Sequence, residues 1–410
     1  MTVNTGHFDV IVIGAGPAGA LASIRLAQEG LKVCILEKST FPRFVIGESL
    51  LPQSMVFMEK AGLLPRLEAA GFQYKDGANF SDDRRFSSIK FSDKFSEGPA
   101  STYQVEREKF DALLADAAVD AGADLRFQQD VRSVEFDQAG AVIAGEGPDS
   151  AFRHTARFLV DASGYGRVLP RLLKLDAPSD FPVRHALFTH VEEQLSDRPF
   201  DRNKILITVH PTCRDIWFWL IPFANGKSSV GAVVPPEELQ KYPGSASDKL
   251  WAIINETTEL QDLLQGAKEL RPVGEISGYS SKVSRLAGPQ FALLGNAGEF
   301  LDPVFSSGVT VAFKSADLLI DPLMRQLNGE TVDWEADFAQ PLQLGVDCFR
   351  VFVEAWYRGD LQDIIFNPPS DENPIKQMIV SILAGYAWDE RNPFVTQGRR
   401  YLDMVAQQCA

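Results

Sequence analysis

Gly14-Ala15-Gly16-Pro17-Ala18-Gly19 joins an apolar run, Phe8 to Ile13, to a stretch that reads as a helix, and an acid, Glu37, closes the next apolar run, Leu31 to Leu36. Strand, glycine turn, helix, strand and acid in that order are the parts of a dinucleotide-binding unit. Gly14 lets the chain turn tightly off the strand, Gly16 lets the backbone approach a pyrophosphate, and Gly19 lets helix and strand pack closely. The helix N-terminus then offers free amides and the positive end of its dipole to the phosphates. Glu37, about 18 residues beyond the last glycine, is placed to accept from ribose hydroxyls.

Outward from this unit the periodicity predicts an α/β chain. Val105 to Gly122 carries apolar residues at Phe110, Leu113, Leu114 and Ala117, a helical spacing, and short strands follow at Leu125 to Phe127 and Val131 to Phe136. Arg157 to Val160 runs into Asp161-Ala162-Ser163-Gly164, a strand ending in a turn. From about Val183 to Lys282 the runs become β-rich, as in Ile205 to His210, Ile216 to Ile221 and Ser229 to Val234. Phe291 to Leu294 returns as a buried strand, and a helix follows Gly295 to Pro303 from about Gly308 to Leu323. The expected organisation is a discontinuous nucleotide domain (1–75, 101–182 and 283–330), an inserted β-rich substrate domain (76–100 and 183–282) and a helical C-terminal region (331–410) whose aromatics pack on the body.

The chain has 410 residues, 45% of them hydrophobic, and a formal charge of −15. That charge argues against nucleic acid as a partner. Cys34, Cys213, Cys348 and Cys409 are scattered without CxxC pairing, which points to reduced thiols, a cytoplasmic setting and no metal site. No charged-then-apolar leader and no membrane-spanning run is found.

The Gly14 fingerprint, Gln104-Val105-Glu106-Arg107 with Phe110-Asp111, the Asp161 to Gly164 turn and the Gly295 to Pro303 stretch together resemble the FAD-dependent monooxygenase superfamily. Phe41-Pro42-Arg43, Ile46-Gly47-Glu48-Ser49-Leu50-Leu51-Pro52, Gly71-Phe72-Gln73-Tyr74-Lys75-Asp76-Gly77-Ala78 and Trp217-Phe218-Trp219-Leu220-Ile221-Pro222 narrow the resemblance to the flavin-dependent halogenases, and Pro303 to Val309 to their phenol and pyrrole branch. The resemblance implies a Rossmann-like FAD domain of the GR2, p-hydroxybenzoate hydroxylase-like type. It implies FAD contacts from Gly14, Gly16, Ala18, Gly19, Glu37, Lys38, Arg43, Glu48, Ser49, Arg107, Asp161, Gly164, Asn296, Asp302, Pro303, Gly308 and Val309.

By the same resemblance, FADH2 and O2 would give a flavin hydroperoxide that turns a halide ion, chloride or bromide, into hypohalous acid. The amides of Ser307 and Gly308 would hold the halide; read from the residues alone, they equally cap a helix. Lys75 would deliver the halogen, and Trp217, Trp219, Ile221, Pro222 and Phe305 would shape the substrate side. Asn296 stands where many superfamily members have Asp, keeping an acceptor without its charge. Phe305 takes the place of the glutamate of tryptophan halogenases, which argues against free tryptophan. His190, Glu48 and Asp302 are each candidates for a substrate-activating base. A single fingerprint points to a separate flavin reductase. The substrate would be a small aromatic, free or tethered to a carrier protein; an acidic chain disfavours an acidic carrier unless Lys204, Arg214 and Lys227 form a basic patch. Two other functions fit: a halogenase-like oxidoreductase that hydroxylates, reduces or dehydrogenates, and a flavoprotein that binds FAD without turnover.

Overall fold

A computed structural model of the chain describes residues 4–193, 200–368 and 374–409. The expected segments 1–75, 183–282 and 331–410 each include residues outside the described ones, and the side chain of Cys409 lies outside them as well. The chain forms two eight-stranded sheets, with helices packed on them and gathered at the C-terminal end.

The first sheet is built on Asn4–Ile13, whose last four residues are all buried. A strand with parallel neighbours on both edges is covered on both faces, which is why Val10 to Ile13 is an unbroken apolar run. Its neighbours are Ala151–Asp161 and Val33–Leu36, both parallel, and the order continues to Phe291–Leu293 on one side and Asp124–Arg126 on the other. The Leu31 to Leu36 run is shorter as a strand than its apolarity suggests. Gly30 turns with φ +83° and the Lys32 amide donates to Asp9, so pairing begins at Val33. Asp130–Asp137 and Gly140–Glu146 add an antiparallel hairpin to Ala151–Asp161.

The Pro17–Gln28 helix packs between this sheet, the Arg107–Asp120 helix and the Gly308–Leu327 helix. That last helix runs through Pro322 to Leu327, one turn beyond the expected Leu323. The missing amide costs the helix one bond, and burial of Leu319, Ile320 and Leu323 on the same face holds it together.

The second sheet runs Lys268–Glu269, His185–Glu192, Lys227–Val234, Trp217–Pro222, Lys204–Val209, Gly77–Ser81, Phe86–Lys90, with Gly274–Ser277 also on His185–Glu192. Period-two alternation sorts its side chains. Trp217, Trp219 and Ile221 lie in the main core, while Phe218 and Leu220 pack under the Ala246–Ile254 and Thr258–Leu263 helices. In the C-terminal region, Phe349, Phe352 and Trp356 of the Gln340–Arg358 helix are buried against the body.

Close approach of the first helix to the first strand depends on Gly19, because a Cβ there would lie 2.0 Å from the carbonyl oxygen of Gly14. Gly19→Ala therefore forces the backbone apart, and chemical denaturation should show a loss of about 1–3 kcal/mol. An unchanged unfolding free energy would contradict this packing.

Candidate functional site

A cavity of about 500 Å³ lies between the two sheets, running from the glycine turn to the paired tryptophans. Gly14, Gly16 and Ala18 are on its wall, and Gly19 packs behind it. Gly14 has φ +96°, and a Cβ there would meet the Ala162 carbonyl oxygen at 2.6 Å. Glu37, buried, accepts from the amides of Ala15 and Ser39 at 2.8 Å each, so the acid and the glycine turn hold one another. Arg43 sits 3.9 Å from Glu37 and 3.6 Å from Asp111, and Lys38 marks the cavity rim, 3.3 Å from Asp130.

Arg107 fixes the Ile46 to Ser49 strap. It is buried, forms a two-pronged pair with Asp111 at 2.7 and 3.0 Å, and donates to the Ile46 carbonyl at 2.9 Å. Burial works against its charge, but Asp111, with a smaller contribution from Glu48, raises its pKa. On the facing turn Gly164 lines the cavity. Asp161 stands behind, accepting from the amides of Ser163 (2.9 Å) and Leu169 (2.6 Å), with burial raising its pKa against those bonds. Its position gives it a part in shaping the turn.

At the far end, Asn296, Pro303, Gly308 and Val309 face Trp217, Trp219 and Ile221 across the cavity. Ser306 has φ +56° and Ser307 has φ −73°, ψ −20°. A left-handed residue followed by a right-handed one turns successive amides toward one point. The amides of Ser307 and Gly308 also belong to the first turn of the Gly308–Leu327 helix, where no helical carbonyl precedes them. The Ser307 side chain is buried and off the cavity.

Trp219 lies over Gly231, where a Cβ would come within 2.3 Å of the indole, and its Nε1 donates to Ser229 Oγ at 3.1 Å. Trp217 Nε1 donates to the Tyr357 hydroxyl at 3.1 Å, and Tyr357 donates to Asp302 at 2.8 Å. Tyr279 also donates to Asp302, at 3.1 Å, and the Val304 amide at 3.0 Å. Asp302 is thus a buried hub behind the cavity, its carboxyl pushed up by burial to about 6 against those bonds. Pro222 ends its strand off the cavity, and Phe305 packs edge-on against Phe352 and Trp356 rather than facing the cavity.

Lys75 is 1% exposed. Its Nζ donates to Ser49 Oγ at 2.7 Å and to the Leu50 carbonyl at 2.8 Å, and lies 5.3 Å from the Phe91 ring centre. Ser49 lines the cavity and Lys75 does not, so the amine stands one residue behind the wall. Desolvation pushes its pKa down to about 7. Of the three candidate bases, Glu48 lines the cavity and pairs with His190 at 2.6 Å, while Asp302 is enclosed.

The basic patch that would have offset the chain's acidity, from Lys204, Arg214 and Lys227, does not form. Lys204 is buried between Asp76 and Asp201, Arg214 pairs with Asp363 at 2.6 Å, and Lys227 lies 3.9 Å from Glu106. Sequence reasoning missed Tyr357, Tyr279 and the Ser49 contact of Lys75. Tyr357 lies 140 residues from Trp217, and nothing local marks the pairing. Among the described residues there is no cluster of metal-ligating side chains, and no helix is long and apolar enough to cross a membrane.

A family described as an FAD binding domain matches residues 7–338. The 1H-pyrrole-2-carbonyl-[peptidyl-carrier protein] brominase of Pseudoalteromonas luteoviolacea is 28% identical over 93% of this chain and 93% of its own. Among solved structures, a flavoprotein/dehydrogenase from Cytophaga hutchinsonii is 41% identical with a TM-score of 0.94, covering 98% of this chain and 99% of the other. A flavin-dependent brominase is 25% identical with a TM-score of 0.84, covering 98% and 100%.

Because the folded-state pKa of Lys75 lies below its ordinary value of 10.5, the unfolded chain binds the extra proton between about pH 7 and 10.5. Stability attributable to Lys75 therefore rises with pH across that window, by up to about 1.4 kcal/mol per pH unit, and is level outside it. Denaturant titrations of the protein and of Lys75→Met at pH 7 and pH 9.5 should diverge accordingly. Parallel pH dependences would contradict the burial of an amine at this position.

Proposed function

The chain belongs to the FAD-binding domain family, and on that premise we propose that it is a flavin-dependent halogenase of electron-rich aromatic rings, phenolic or pyrrolic. It is an FAD-dependent oxidoreductase with similarity to flavin-dependent halogenases. The observation that carries the finer reading is a buried amine without a carboxylate partner among the described residues, one serine away from the FAD cavity.

The residues present fit FAD. The bare backbone at Gly14 and Gly16 and the helix N-terminus take the pyrophosphate, Glu37 the ribose, and Arg43 and Lys38 the flanking negative charge. Asn296, Pro303, Gly308 and Val309 take the ribityl and ring portion. Reduced FAD with dioxygen supplies the oxidising equivalents that convert halide to hypohalous acid. Ser307 and Gly308 amides, converging after the left-handed Ser306, hold the halide without a competing negative charge. Trp217 and Trp219 wall the cavity, so that an aromatic substrate does not reach the oxidant directly.

Lys75 then receives the halogen. As the neutral amine its nitrogen displaces hydroxide from hypohalous acid, giving a haloamine and, with the amine proton, water. The ring carbon next takes the halogen from nitrogen and loses its proton to the amine, restoring Lys75. A pKa near 7 makes the neutral form available at physiological pH, which an exposed lysine would not. The separate flavin reductase remains part of this reading, since one nucleotide fingerprint is present. With Lys204, Arg214 and Lys227 each answered by an acid, the reading takes a free ring as substrate and makes the tethered ring an arm of the test.

A second reading, a halogenase-like oxidoreductase without halogenation, rests on the 41% identity to a flavoprotein/dehydrogenase. Purified protein with FAD, a flavin reductase, NADH, bromide and a panel of phenols and pyrroles, free and carrier-bound, separates the two. The expected product carries bromine and is lost by at least a hundredfold in Lys75→Ala, on the order expected for removal of a reacting group, while FAD binding persists. Oxygenated or desaturated products independent of bromide would favour the second reading.

A further inference from the structure

One buried ionisable pair on the cavity wall has no part in the steps above. Glu48 is 1% exposed and lines the cavity between Arg107's anchor at Gly47 and Lys75's partner Ser49. Its Oε1 is 2.6 Å from His190 Nε2. His190 does not line the cavity, and 13% of its side chain is exposed. The register explains this placement. His190 is opposite Ser229 on one neighbouring strand, and Ser229 is opposite Ile221 on the next, so all three share the cavity-side face with His190 outermost. Phe44 and Phe223 hold the imidazole edge-on at 5.1 and 5.3 Å.

Halogenation has a proton requirement. FADH2, O2, halide, one ring C–H and one proton give FAD, a carbon–halogen bond and two waters. Dioxygen takes four electrons, two from the reduced flavin and two from the pairing of halide with ring carbon. The ring proton and the two flavin protons supply three of the four hydrogens in water, and the fourth comes from solvent. It has to reach the inner wall of the cavity, where Glu48 and Ser49 are buried. We propose that His190 and Glu48 form the proton inlet of the cavity: His190 takes the proton at the solvent side and Glu48 passes it to the cavity. This rests on the halogenase reading only for its stoichiometry. Simple reoxidation of anionic reduced flavin to FAD and hydrogen peroxide also takes up one proton.

Two cations stand near the pair. Arg107, from the Arg107–Asp120 helix, and Arg271, stacked 3.1 Å above the Phe44 ring, both feel Glu48, and Glu108 lies beyond Arg271. A pair that served only to close the strap would not need an imidazole reaching solvent.

The test uses the FAD-loaded protein and His190→Gln, Glu48→Gln and Glu48→Asp. Reduced enzyme is mixed with O2 and bromide, with a pH-indicator dye for proton uptake and mass spectrometry for product. In His190→Gln proton uptake and product formation should slow about tenfold or more at pH 8. The deficit should close toward pH 6, where hydronium substitutes, and added imidazole should restore the rate. The dissociation constant for oxidised FAD stays within about twofold for His190→Gln, since its ring is off the cavity. In the unliganded protein, which has five histidines, a low-field imidazole N–H resonance should vanish in both His190→Gln and Glu48→Gln. Glu48→Asp should retain part of the rate. Wild-type rates in His190→Gln at every pH, or a loss equal at every pH and not restored by imidazole, would overturn the inlet. Proton uptake that needs His190 while wild-type protein yields no halogenated product would retain the inlet and refute the halogenase reading instead.

Discussion

Burying an amine without a counter-charge is the constraint around which this site is arranged. Among the described residues Lys75 has a hydroxyl, a carbonyl and an aromatic face as partners and no carboxylate. An ammonium in such surroundings loses hydration that neither Ser49 nor Leu50 fully replaces, so the neutral form gains ground. Had an aspartate stood beside it, the lysine would be a structural cation, as Lys204 is between Asp76 and Asp201. Phe91 and Leu50 exclude water on one side, and the strap carrying Ser49 separates the amine from the cavity on the other.

That strap depends in turn on the nucleotide half of the molecule. Arg107 draws the Ile46 and Gly47 carbonyls inward while Asp111 neutralises it, so the Arg107–Asp120 helix sets the height of Glu48 and Ser49 above the cavity. The second sheet supplies the opposite wall. Trp219 can lie flat only because residue 231 is glycine, and Trp217 is held through Tyr357 to Asp302, which ties the C-terminal helices to the turn before the Gly308–Leu327 helix. Three parts of the chain distant in sequence thus converge on one chamber.

The sequence revealed what local chemistry encodes and missed what three-dimensional pairing decides. The glycine turn and the Trp217 to Ile221 alternation could be read because turn geometry and period-two burial are properties of neighbouring residues. The pocketing of Lys75 came from motif resemblance, since a single lysine carries no sign of its own burial. Its contact with Ser49 and the Trp217–Tyr357–Asp302 chain were invisible because no spacing rule relates residues 26 or 140 positions apart. Whether Lys204, Arg214 and Lys227 form a basic patch could not be read from the sequence for the same reason: each meets an acid brought to it by folding.

The central claim is that Lys75 carries the halogen between the FAD chamber and the substrate. A single turnover of reduced, FAD-loaded protein with O2 and bromide, without aromatic substrate, followed by rapid removal of small molecules and addition of an activated phenol, tests it most directly. The account predicts transferable bromine, up to one equivalent per protein, that stays with the protein and is absent from Lys75→Met. Protein that emerges from the column with no transferable bromine, all of it having left as free hypobromous acid, would contradict the account.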